Sequence, residues 1–150
     1  MGRDTTVPRQ RIRQNGETLS ELHEARTLTV SIGRPPGDVY DYVSDPTNMP
    51  YWSFFDSVVE SGGRWLARSS AGEVFVSFVP ANEYGVLDHT VELAPDQEIR
   101  VPMRVIPNGE GSELIFTVIR EVGGTDDEFE QDVSTVRKDL ETLKNLLEAA

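Results

Sequence analysis

Residues 125–150 read TDDEFEQDVSTVRKDLETLKNLLEAA. Phe129, Val133, Val136, Leu140, Leu143 and Leu147 follow one another at intervals of four, three, four, three and four residues, which lays one apolar stripe along a helix. Thr125 with Glu128 three residues later is a capping box, and Gly123-Gly124 separates it from what comes before. From Asp126 to Glu148 the helix would be about 34 Å long. The same spacing suits a coiled-coil seam. The alternative depends on what precedes it, because an apolar sheet face needs an amphipathic helix to cover it.

What precedes it is β-rich. SELIFTVIR (112–120), IRVPMRVI (99–106), VLDHTVEL (86–93), EVFVSFV (73–79), RWLARS (64–69) and FFDSVVES (54–61) are β-branched and aromatic runs. Asn108-Gly109, Ala71-Gly72 and Gly62-Gly63 supply hairpin turns between them. Further back, TLTVSIG (27–33) alternates Leu28, Val30 and Ile32 with Thr27, Thr29 and Ser31, the period of a half-buried strand. Between this strand and the other six lies VYDYVSDPTNMPYW (39–52). Val39, Tyr42 and Val43 share a helix face; Asp45 stops that helix before Pro46 and caps a second turn, which Pro50 ends. Both helices are too short to stand alone and suit a closing wall. The expected fold class is α+β, with a curved seven-stranded antiparallel sheet gripping the C-terminal helix.

Composition narrows the function. The chain has 150 residues, no cysteine and a formal charge of 14 − 26 = −12. That length gives one domain, and the absence of cysteine removes disulfides, thiol nucleophiles and thiolate metal sites. Residues 1–26 hold five Arg against four acids, leaving 9 − 22 = −13 for the remainder. An acidic body repels phosphate backbones, so nucleic acid is not an expected partner. Residues 1–26 are expected to form a poorly ordered or loosely docked arm, with weak helical spacing in LSELHEAR, and residues 27–150 the single domain. No leader-like h-region and no 18-residue apolar run occur, so the expected location is the cytoplasm, with no membrane span. The heptad-like helix is compatible with a monomer or a homodimer, although its apolar face is needed inside.

Three stretches together, DYVSDPTNMPYW, YGVLDHTVEL and PMRVIPNGEGSELIFTVIR, followed by TDDEFEQDVSTVRKDLETLKNLLE, resemble a bacterial subgroup of the START-related SRPBCC superfamily. The resemblance covers about residues 27–148. This is the helix-grip fold shared with birch-pollen-type allergens and polyketide cyclases. It implies a cavity between sheet and long helix for a hydrophobic small molecule, with the helix pair at its mouth. It implies no particular reaction, because carriers, regulators, cyclases and oxygenase domains share the scaffold.

On that fold, Trp52 belongs at the entrance, where an amphipathic ring can close over a ligand, or else plugs the core edge. Alternation in VLDHTVEL places His89 on the inner face with Leu87 and Val91. There it is either a hydrogen-bonded structural histidine or a general base beside a carbonyl. The same parity turns Val101, Met103 and Val105 inward and Arg100 and Arg104 outward. Met103 suits an adaptable pocket, and Arg104 would bind a carboxylate or enolate only if the strand bulged. ELIFTVI is apolar on both faces, so parity leaves open whether Ile115 or Phe116 points in. Trp65, Phe78 and Phe116, with Phe129, Val133 and Val136 of the helix, complete the candidate ligand-binding set.

No HExxH, GxSxG, phosphate loop or dinucleotide fingerprint occurs, and His23 and His89 are the two histidines. Neither a metal nor a cofactor is expected. The favoured function is binding of a lipid, aromatic or polyketide-like molecule as carrier or sensor. The alternative is a cyclase or dehydrase type of enzyme using His89, with Tyr84 or Arg104 in support. A third reading is a co-chaperone-like interaction module using the acidic surface and the arm.

Overall fold

The computed structural model describes residues 22–150, so the expected arm lies outside the described residues as far as residue 21. Residues 22–24 carry no helix, and β1 (Ala25–Ile32) begins two residues ahead of the alternation. Ala25 and Arg26 already pair with Ile119 and Val118. Arg26 donates to Glu130 Oε2 at 2.9 Å, and its guanidinium lies 5.2 Å from the centre of the Phe129 ring.

The helix pair forms as its residues dictate, with one correction. In α1 (Pro36–Val43) the side chains of Val39 and Val43 are buried. The Asp45 carboxylate accepts the Thr47 N–H at 3.0 Å and so caps a 3-10 turn, Pro46–Asn48. Pro50 does not end that turn. It sits in the first turn of α2 (Met49–Trp52), where its missing N–H has no helical partner to lose, and the chain coils on to Trp52.

Seven strands follow: β2 (Ser57–Ser61), β3 (Arg64–Ser69), β4 (Gly72–Phe78), β5 (His89–Ala94), β6 (Gln97–Val101), β7 (Met103–Asn108) and β8 (Gly111–Ile119). The described residues thus form eight strands in two antiparallel sheets rather than one seven-stranded sheet. Five strands are ordered β2-β3-β4-β5-β6 and three are ordered β1-β8-β7. The expected strand 99–106 is divided at Pro102, which has no N–H to donate to a ladder. Val101 pairs with His89 in the first sheet, while Met103 pairs with Phe116 in the second. The Pro102 carbonyl still accepts the Thr117 N–H at 3.0 Å, so the two sheets remain in contact at this point. Alternation runs through the break, and Val101, Met103 and Val105 are all buried.

The free edge of β7 is covered by residues 85–87. Val105 N–H bonds the Gly85 carbonyl at 2.9 Å, and Leu87 N–H bonds the Met103 carbonyl at 2.8 Å. Gly85 has φ +73°, and a Cβ there would lie 2.2 Å from the Val105 oxygen. Only glycine allows this approach.

The C-terminal helix α3 (Asp126–Ala149) starts at the capping box: Thr125 Oγ1 accepts the Glu128 N–H, and Glu128 Oε1 accepts the Thr125 N–H. Arg120 donates to the Gly124 carbonyl and pairs with Asp126 at 2.6 Å, fixing the approach from β8. Along its length α3 packs on β1 and β8 and on α2. Leu28, Ile32, Met103, Leu114, Leu140 and Leu143 make the core of this packed side. Each such side chain contributes about 1.5–3 kcal/mol through burial.

Candidate functional site

The elements that hold α3 against the three-stranded sheet leave a gap against the five-stranded one. A cavity of about 480 Å³ fills it, within the size range of small-molecule sites. The sheet side is formed by β5, β6 and β8 residues including His89, Val91, Val101 and Phe116. The end of α2 and the segment after it supply Met49, Trp52, Phe54 and Phe55. From α3 come Asp132, Thr135, Val136 and Asp139, with Glu121 and Arg100 at the opening.

His89 is the deep polar group. It is 5% exposed, stacked on its cross-strand partner Phe78 at 4.6 Å and edge-on to Phe116 at 6.4 Å. Its Nδ1 lies 3.0 Å from the Leu87 carbonyl, which assigns the proton to Nδ1. Burial lowers its pKa from the ordinary histidine value, opposed by the Leu87 bond and by Asp88. The ring is therefore neutral at pH 7. Among the described residues no carboxylate hydrogen-bonds it.

Trp52 is 3% exposed, and its indole N–H has no hydrogen-bond partner among the described residues. A buried donor without a partner carries a desolvation cost on the order of 1–3 kcal/mol. Beside it Phe54 and Phe55 stack at 4.4 Å, and Phe54 is more than half exposed. On α3, Asp139 is half-buried and has a pKa pushed up to about 7. Burial is the cause, opposed by a backbone contact from Phe54 and by the neighbouring Lys138. Asp132 and Glu121 at the opening are also raised, first by burial and then by neighbouring acids: Glu128 for Asp132, and Asp132 followed by Glu128 for Glu121.

Of the sequence-derived candidates, Trp52, His89, Phe116 and Val136 line the cavity. The others lie elsewhere. Met103, Phe129 and Val133 are buried in the packed core. Trp65 pairs with Val76 on β4 and is partly buried against that core, and Phe78 stands behind His89. Arg104 faces solvent, 3.5 Å from Asp88, whose other oxygen accepts the Met103 N–H at 2.8 Å. On β8 it is Phe116, with Leu114 and Val118, that faces inward.

Sequence reasoning missed Phe54, Phe55, Asp132, Thr135 and Asp139. The two phenylalanines head the strand expected over 54–61, but β2 begins at Ser57. On the helix, 132, 135 and 139 share a face with Val136 at spacings i, i+3, i+4 and i+7, but two acids on that face have the pattern of a solvated one.

Among the described residues no group of His, Cys, Asp or Glu is arranged to hold a metal ion, and no helix is long and apolar enough to cross a membrane.

An α+β chain with a long C-terminal helix over antiparallel sheets and an internal cavity has the helix-grip architecture. The chain belongs to the polyketide cyclase / dehydrase and lipid transport family, whose model matches residues 25–148. Solved structures agree on the fold. An uncharacterised protein from Bacillus thuringiensis superposes with a TM-score of 0.67 at 12% identity, covering 82% of this chain and 98% of the other. A START superfamily protein from Mycobacterium smegmatis gives 0.65 at 11% identity, covering 85% and 98%. CalU16 from Micromonospora echinospora gives 0.60 at 12% identity, covering 92% and 80%. No curated protein sequence matches the chain.

Proposed function

We propose that this protein is a carrier or sensor that holds a hydrophobic small molecule in the cavity between the five-stranded sheet and α3. The observation that carries this reading is the cavity itself, with aromatic walls and a buried tryptophan N–H that a ligand acceptor could satisfy. The family, whose description includes lipid transport, supports the same reading. Native mass spectrometry of the protein purified from its own host tests it. A stoichiometric apolar compound supports the proposal; an apo mass that does not shift with a hydrophobic library overturns it.

A second reading, a cyclase- or dehydrase-type enzyme, draws on the neutral His89 imidazole on the cavity wall. A general base there would take a proton next to a substrate carbonyl. The burial that keeps His89 neutral also makes it a weaker base, and among the described residues no side chain hydrogen-bonds it, which favours the carrier reading. His89→Ala separates the two. A carrier shows a modest change in affinity, whereas an enzyme loses turnover of the identified compound while still binding it.

A further inference from the structure

The cavity's polar wall is unequal in charge. Asp139, Asp132 and Glu121 line it together with a single guanidinium, that of Arg100. Among the described residues none of these three carboxylates has an ion-pair partner, although nine other pairs form elsewhere on the surface. Asp139 is the deepest of the three, set on α3 where the helix meets α2. It lines the same cavity as the stacked Phe54 and Phe55 rings and the buried, unpartnered Trp52 indole. An unpaired carboxylate beside aromatic rings is the surrounding a cation prefers, since the charge attracts it and the ring faces add to the attraction.

We propose that the cavity selects apolar molecules that carry a basic nitrogen, with Asp139 receiving the ammonium group beside Phe54 and Phe55 while the apolar body extends toward His89 and Phe116. This rests on the ligand-binding reading above and gives it a substrate class. Asp132 and Glu121 draw the cation to the opening, and the same three carboxylates disfavour fatty acids and other apolar anions. Neutral ligands gain from the apolar walls alone.

Selectivity then depends on pH. The groups around Asp139 are Asp132 and Lys138 on α3, Glu121 after β8, Arg100 on β6 and His89 on β5; the α2 side contributes no charged lining residue. His89 titrates below its ordinary value, so around pH 7 the change at this wall comes from the raised carboxylates, with Asp139, at about 7, foremost and Asp132 and Glu121 shifted in the same direction. An ammonium ligand binds more tightly as pH rises through this range and Asp139 loses its proton.

Three probes that share one ring system test this by calorimetric titration of the full chain: 1-naphthylmethylamine, 1-naphthylmethanol and 1-naphthoate. At pH 8 the amine is expected to bind about tenfold more tightly than the alcohol, and the naphthoate most weakly. Lowering the pH to 5.5, where the amine remains protonated, should remove most of that advantage. Asp139→Asn should remove it at pH 8, weakening the amine far more than the alcohol. Equal binding of amine and alcohol, a preference for naphthoate, or an amine preference that survives Asp139→Asn overturns the proposal while the cavity reading stands. Failure of all three probes to bind overturns both.

Discussion

The two sheets of this molecule meet the same helix in different ways. The three-stranded sheet packs against α3 through Leu28, Ile32, Leu114 and Leu143, and residues 116–119 of β8 alone carry it to the edge of the cavity. The five-stranded sheet presents a similar apolar face through Val74, Val91 and Val101 but stands away from the helix, and the cavity occupies the difference. A packed interior resembles an organic crystal in density, so a gap of this size forms only where something holds the walls apart. Here the helix pair does so. α2 is wedged between α3 and β2, and its Trp52 and Met49 are buried at the contact. The packed sheet carries the stability of the fold, and the open sheet can vary its lining at small cost to it.

Substitutions on the two sides should therefore differ. The largest effect is expected for Leu143→Ala on the packed side, a loss of about 3 kcal/mol in urea unfolding; Val91→Ala on the cavity wall should lose about 1 kcal/mol or less. Similar losses at both positions would mean that the gap closes in solution. At the wedge, Trp52→Ala should cost about 3 kcal/mol, whereas Trp52→Phe keeps most of the ring, discards the unpartnered N–H and should stay within about 1 kcal/mol of the parent.

A smaller, pH-dependent effect belongs to Asp139. Its folded pKa of about 7 exceeds the ordinary aspartate value. Between that ordinary value and 7 the folded state therefore holds a proton that the unfolded state releases, and stability falls as pH rises through this window. Asp139→Asn should stabilise by about 1 kcal/mol at pH 8, after allowance for solvent screening of a half-buried carboxyl, and by nothing measurable near pH 4. Thermal melts at the two pH values check this, and an equal shift at both would remove the charge explanation. The smallest effect is expected for Arg104→Ala on the outer face, within about 0.5 kcal/mol, because its guanidinium is more than half exposed and stands 3.5 Å from Asp88.

How far these features could be read from sequence follows the physics of each. The helix α3 was legible because its cap and its repeat agree, and both are local. The inward turn of His89 and Val101 followed from strict alternation. Parity could not orient β8, whose residues are apolar on both faces, and there the pairing of Phe116 with Met103 decided the matter. Pro102 is the sign in the sequence that one strand is two, although the apolar alternation on both sides of it favours a single run. Asp139 was the least legible, because an acidic residue on a helix ordinarily faces water. Only the gap that α2 holds open places it on the wall of a cavity.

Trp52 and Trp65 are the two tryptophans of the chain. Trp52 lies in the cavity wall, whereas Trp65 is not among the lining residues. A Trp65→Phe protein would therefore carry a single emitter within reach of whatever enters the cavity, buried enough to fluoresce at the blue end of the indole range. The residue that helps hold the cavity open also makes the molecule an optical gauge of its own occupancy, readable in solution without a label.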